Sequence, residues 1–276
     1  MAWDQTQDRQ ITENLDVLAA VMNHPSAVRR AWALADDLIF QKHFLNIATE
    51  FRRDDAFSLV DIGCGRGELL HLIAGHFPRA RLTGIDSNAP SLAEAERLVP
   101  SATFRRQSFA AISERHDAAM CCEVFEHVED FEGLIDTLFS AVRPGGLISF
   151  STPSGWMYRT PRPGNLYHAL RHWEFFNAVR LHPERNWLRA LPYHPGILPA
   201  RAIALFERRG GRIVSRRSAL WFMEERSIAY WICNRLGGFS GAAKVDAWVR
   251  LLDALMEIAP PFRIFEKRFI LAVRTP

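Results

Sequence analysis

Apolar and polar positions change their rhythm along this chain, and the changes mark out its elements. Between residues 57 and 151, short apolar runs bounded by turn residues alternate with helical stretches. The runs at 57–62, 81–86, 103–106, 117–122 and 147–151 are expected to be strands. Helices are expected at 68–76, 89–98 and 131–142, with Pro144-Gly145-Gly146 turning the chain into the fifth strand. Strand and helix in strict alternation predict an α/β fold, a parallel sheet with helices on both faces.

The flanks follow other patterns. Residues 12–48 read as helices separated at Pro25. Leu15, Leu18, Ala19 and Met22 share one face, and Trp32, Leu38, Phe44 and Leu45 share another more loosely. This places an N-terminal helical cap over 1–54 and one large domain over 55–276, the cap either packing on the core or closing over its ligand edge. Residues 152–199 break the alternation with seven prolines, four histidines and a dense set of aromatics. So long an irregular connection, placed after the fifth strand, points to a lid. The alternation resumes with a helix at 199–209, a Gly210-Gly211 stop and a strand at 212–218. A helical insertion at about 221–261 carries the apolar face Val245, Trp248, Leu252, Leu255, Met256 and Ala259, and 262–274 ends in one or two strands.

Composition narrows the setting. The chain has 276 residues, 48% of them apolar, enough for one large core with additions. A net charge of +3 does not by itself call for nucleic acid. Arginine carries nearly all the positive charge, lysine occurring only at Lys42, Lys244 and Lys267. Cys64, Cys121, Cys122 and Cys233 form no Cys-x-x-Cys pair, so neither a zinc site nor a redox motif is signalled. With no apolar leader and no run long enough for a transmembrane segment, a reducing cytoplasm is the expected setting.

The first chemical signal is Asp61-Ile62-Gly63-Cys64-Gly65-Arg66-Gly67, which ends the first strand, followed by Asp86 at the end of the second. Glycines here let backbone approach a ligand closely, and an acid after the second strand suits a ribose. The spacing departs from the dinucleotide fingerprint. Its third glycine comes early, at Gly67, and Glu68 stands at the helix start, where a pyrophosphate would meet a negative charge. A cofactor without phosphates fits better.

These residues resemble the first motif of class I S-adenosylmethionine (SAM)-dependent methyltransferases. The resemblance implies their Rossmann-like seven-stranded sheet, here with the helical cap and helical insertions. It also implies a SAM site made by Asp61, Gly63, Cys64, Gly65 and Gly67 under the methionyl part, with Asp86 and Ser87 at the ribose. Where the family often has an acid near the adenine, this chain offers Ser108 and Phe109.

The second signal is Glu123-Val124-Phe125-Glu126-His127 after the fourth strand. In a helix, Glu123, Glu126 and His127 at i, i+3 and i+4 would point to one side and suit Mg²⁺ or Mn²⁺. The motif resembles the Glu-x-x-Glu-His of ubiquinone-biosynthesis O-methyltransferases and of small-RNA 2′-O-methyltransferases. In the second family it implies a metal completed by a downstream histidine, for which His194 is suitably placed. The other reading has no metal: Glu126 bonds locally, Glu123 borders the cofactor, and His127 or His194 serves as general base.

The resulting expectation is O-methylation of a small, aromatic or lipid-like acceptor. RNA 2′-O-methylation with a metal and a non-catalytic SAM-binding scaffold stand as alternatives. The low net charge argues against nucleic acid, and residues 221–239 offer a peripheral membrane or partner contact.

Overall fold

A computed structural model describes residues 27–128, 130–155, 197–219 and 268–276, with side chains from Leu38 onward. The elements are α1 (Ala27–Ala48), β1 (Ser58–Ile62), α2 (Glu68–His76), β2 (Arg81–Asp86), α3 (Ala89–Leu98) and β3 (Thr103–Arg106). They continue with β4 (His116–Cys122), α4 (Phe131–Ser140), β5 (Val142–Pro153), α5 (Pro199–Glu207), β6 (Arg212–Ala219) and β7 (Arg268–Arg274).

The strands form one seven-stranded sheet in the order β3-β2-β1-β4-β5-β7-β6. The β1–β2, β1–β4, β2–β3 and β4–β5 pairs are parallel, whereas β7 runs antiparallel to both β5 and β6. The order reverses direction between β1 and β4. In open α/β sheets, the crevice at that reversal is where ligands bind, beyond the carboxyl ends of the strands.

Burial on both faces explains why the central strands read as continuous apolar runs. Val60 and Ile62 of β1, Ile148 and Phe150 of β5 and Phe269 of β7 pack with α4 and α5 residues such as Leu134, Leu138 and Phe206. Leu59, Leu82, Met120 and Leu147 pack on the opposite face with Ile47 of α1, Leu70 of α2 and Leu92 of α3. The expected boundaries of α2, α3, β2 and β3 coincide with those observed. The expected helix 131–142 stops at Ser140, and Val142 already pairs with His116 in β5.

α1 meets the expected pattern in part: Leu38 is buried and Phe44 packs against the core, whereas Leu45 is exposed. Its buried side is mixed, with Lys42, His43 and Asn46 beside Leu38, Ile39 and Ile47. Ser149 of β5 explains this. Its hydroxyl meets His43 Nδ1 at 2.8 Å and accepts from Asn46 Nδ2 at 3.0 Å, while Asn46 Oδ1 accepts from Arg217 of β6 at 3.2 Å. Polar groups can be buried here because these hydrogen bonds replace those to water. The described end of α1 is therefore packed on the sheet. Residues 1–26, with their expected helical face, and the insertions at 156–196 and 220–267 lie outside the described residues.

Burial pushes the His43 imidazole down to about 3 from 6.5. The unfolded chain then takes up a proton that the folded one refuses. Stability falls as pH drops from 6.5 towards 3 and is unaffected by this group above 6.5. Between pH 6 and pH 4 the wild type should lose about 1.4 kcal/mol per pH unit more than His43→Gln. Urea midpoints measured at each pH test this, and equal slopes would overturn it.

Candidate functional site

The loop after β1 is shaped by its backbone. The Gly63 and Cys64 N–H groups both donate to the Ile85 carbonyl of β2, at 2.7 and 3.1 Å, and Gly67 N donates to Cys64 O at 2.9 Å. This tight turn needs positive φ, 76° at Gly63, 52° at Gly65 and 82° at Gly67. At Gly63 space is closed as well, since a Cβ would lie 2.2 Å from Val124 Cγ2. At Gly65 a Cβ would meet nothing within 4 Å, so that glycine borders open space.

Asp86 is fixed across this space. Its Oδ2 accepts from Gly65 N at 2.9 Å and its Oδ1 from Asn88 N at 2.8 Å. Each carboxylate oxygen keeps a second acceptor position, enough for two ligand hydroxyls. Asp61 lies below, 2% exposed, and its Oδ1 has no hydrogen-bond partner. Burial, then the nearby Asp86 and Glu68, push its carboxyl up to about 8. Burial also raises Glu68. Three acids crowd one loop, and the nearby cation Arg66 is itself paired with Glu94 at 3.4 Å. Acids crowded in this way make a poor seat for a phosphate.

The other expected cofactor residues differ in setting. Cys64 is buried, its thiol raised by burial and packed behind the loop towards Gly84. Ser87 is exposed, and its carbonyl accepts from Arg106 Nε at 3.3 Å. Ser108 caps the 3-10 turn Phe109–Ala111 through Ala110 N, and Phe109 is half-buried against the apolar core. Gln107 N donates to Asp86 O at 3.1 Å, which draws this turn to Asp86.

Across the reversal point stand the residues after β4. Here the helix that would align the expected metal ligands is absent. Glu123 is not helical; its φ is +54°, the only positive value at a non-glycine among the described residues. That conformation costs about 1–2 kcal/mol in an ordinary residue. A single 3-10 turn, Phe125–His127, follows, so the α-helical i, i+3, i+4 alignment does not apply. The Glu123 carboxylate accepts from Ser151 Oγ at 3.0 Å and is ion-paired to Arg268 Nε. Glu126 turns inward, 3% exposed, and accepts from Thr152 Oγ1 at 3.3 Å. Burial, reinforced by Glu123, raises its carboxyl well above the usual range. Among the described residues no three His, Cys, Asp or Glu side chains are grouped to hold a metal ion. Arg268 already pairs with Glu123, and Glu126 faces inward, so the described members of the set do not converge on a Mg²⁺ or Mn²⁺ ion. His127 is half-buried at the end of the turn, and His194 lies outside the described residues.

Sequence reading missed Arg268, Ser151 and Thr152. Arg268 opens β7, which runs antiparallel and so begins at the carboxyl edge of the parallel strands, opposite Pro153 and Ala219. The only hint was an arginine heading an apolar run 145 residues from its partner.

A glycine-rich turn after β1, an acid ending β2 and a seven-stranded sheet with an antiparallel β7 define the class I SAM-dependent methyltransferase architecture. Residues 8–216 match the family model described as "Methyltransferase domain", and the chain belongs to that family. It is similar to the trans-aconitate 2-methyltransferase of Paracidovorax citrulli, 37% identical over 102 residues, covering 36% of this chain and 39% of that enzyme. It is also similar to the ubiquinone biosynthesis O-methyltransferase of Methylobacterium sp. (strain 4-46), 39% identical over 102 residues, with 34% and 40% covered. The chain thus spans about two fifths of the length of these curated relatives. A crystal structure of a putative sarcosine dimethylglycine methyltransferase from Galdieria sulphuraria shares the fold, with a TM-score of 0.55 at 12% identity over 85% of this chain and 84% of that one.

Gly63 and Gly65 should respond differently to alanine. Gly63→Ala must displace Val124 as well as bear positive φ, and should cost about 2–4 kcal/mol. Gly65→Ala should cost only about 1–2 kcal/mol from its φ, yet fill ligand space. Thermal melts with and without S-adenosylhomocysteine (SAH) check this: Gly65→Ala should lose the SAH-induced shift while keeping most of its own stability.

Proposed function

We propose that this protein is a SAM-dependent methyltransferase that methylates an oxygen of a small-molecule acceptor. The observation that carries the donor assignment is the facing of Gly65 and Asp86 over the unpartnered, buried Asp61. SAM suits this arrangement. Its sulfonium and ammonium are positive, its ribose supplies a diol, and it has no phosphate to meet Glu68. Asp86 would accept from the ribose hydroxyls, and Asp61 would face the methionyl ammonium across the glycine loop.

SAM supplies an activated methyl group, transferred by in-line displacement at carbon. The protein's share is to align donor and acceptor and exclude water. A hydroxyl acceptor must also lose its proton, and His127, at the acceptor side of the reversal point, is our candidate base, with His194 the second. The acceptor reading draws support from the relatives, one named for trans-aconitate and one for O-methylation in ubiquinone biosynthesis. Among the described residues no helix is long and apolar enough to cross a membrane.

Asp86→Ala should weaken SAH binding by roughly tenfold or more, on the scale of a lost hydrogen bond to a charged group; calorimetric titration giving unchanged affinity would sink the ribose assignment. Below pH 8, binding should release protons as Asp61 ionises beside the ammonium. Heats measured in two buffers of different ionisation enthalpy report that release, and Asp61→Asn should abolish it. Turnover should persist in EDTA, and loss of activity on chelation would restore the metal reading.

A further inference from the structure

The acceptor edge already holds a carboxylate in a cradle of its own. Glu123 presents one oxygen to the Ser151 hydroxyl, at 3.0 Å, and the other to the Arg268 guanidinium. The two elements that form the cradle, the carboxyl end of β5 and the start of β7, are rigid parts of the sheet, paired continuously from Leu147↔Arg274 to Pro153↔Arg268. The occupant is held less comfortably. Glu123 keeps its place through a left-handed backbone at φ +54°, which a glycine tolerates and a glutamate resists. Both partners are within reach of solvent, the Arg268 side chain 14% exposed and Glu123 22%.

From this juxtaposition, and on the methyltransferase reading above, we infer that Arg268 and Ser151 form a subsite for a carboxylate on the methyl acceptor, which Glu123 fills until the acceptor displaces it. The chemistry matches in kind: an arginine N–H and a hydroxyl offered to one carboxylate are what Glu123 now receives and what an incoming acid would receive in its place. The position matches too, because Glu123 directly follows β4, across the reversal point from Gly63, where Val124 closes over the glycine loop. A carboxylate seated there lies on the acceptor side of the donor site. An amine acceptor would find this acid already neutralised by Arg268.

Calorimetric titration of the full chain, saturated with SAH, against trans-aconitate, tricarballylate and 4-hydroxybenzoate, each paired with its amide, tests the subsite. At least one acid should bind more tightly than its amide. Arg268→Gln should weaken that acid roughly tenfold or more, the scale of one charge-assisted hydrogen bond, and leave the amide unchanged. Glu123→Gly, which removes the competing carboxylate and relieves the backbone, should tighten the acid severalfold. Acids that bind no better than amides, or a Glu123→Gly variant that binds acids no more tightly, overturn the subsite and leave the pair a purely structural ion bridge. SAH affinity, measured first for each variant, separates the two levels. If the wild type fails to bind SAH, the methyltransferase reading itself falls; if SAH binds and the acids show no preference, only the subsite falls.

Discussion

Two amide groups converging on one carbonyl organise this molecule. Gly63 and Cys64 both donate to Ile85 O, so the chain leaving β1 cannot run on; it folds over the end of β2 instead. That fold-over brings Gly65 N to Asp86 and leaves Asp61 beneath with an unanswered oxygen. The parallel β1–β2 register, Ile62 opposite Ile85, sets the height at which this happens. Ligand chemistry here is thus a product of strand register, one acid from each of two neighbouring strands held a turn of backbone apart.

The same edge carries the opposite economy of charge on its other side. The glycine loop gathers Asp61, Glu68 and Asp86 with little compensation, whereas Glu123 is compensated by Arg268.

How much of this could be read from the sequence depended on distance along the chain. α2, α3, β2 and β3 were legible because their signals are local: turn residues bounding short apolar runs buried on both faces. The turn of the glycine loop was legible for the same reason, Asp61 to Asp86 being one βαβ unit. The segment after β4 was not. Spacing at Glu123, Glu126 and His127 suggested a helix, but the left-handed residue and 3-10 turn that replace it follow from packing of Val124 over Gly63 and from Arg268, contacts between distant segments. The polar part of α1's buried side escaped a hydrophobic reading because it answers Ser149 and Arg217, over a hundred residues away.

The placing of β7 has a consequence for how the chain is made. It follows β6 in sequence yet lies between β5 and β6, sharing seven paired positions with each. Until it leaves the ribosome, the long β5 presents an open, apolar edge and β6 has no neighbour. Nascent chains of this architecture therefore carry an unprotected strand edge through the synthesis of at least the 48 residues from 220 to 267. The late arrival of β7 seals the sheet and brings Arg268 to Glu123 in a single step.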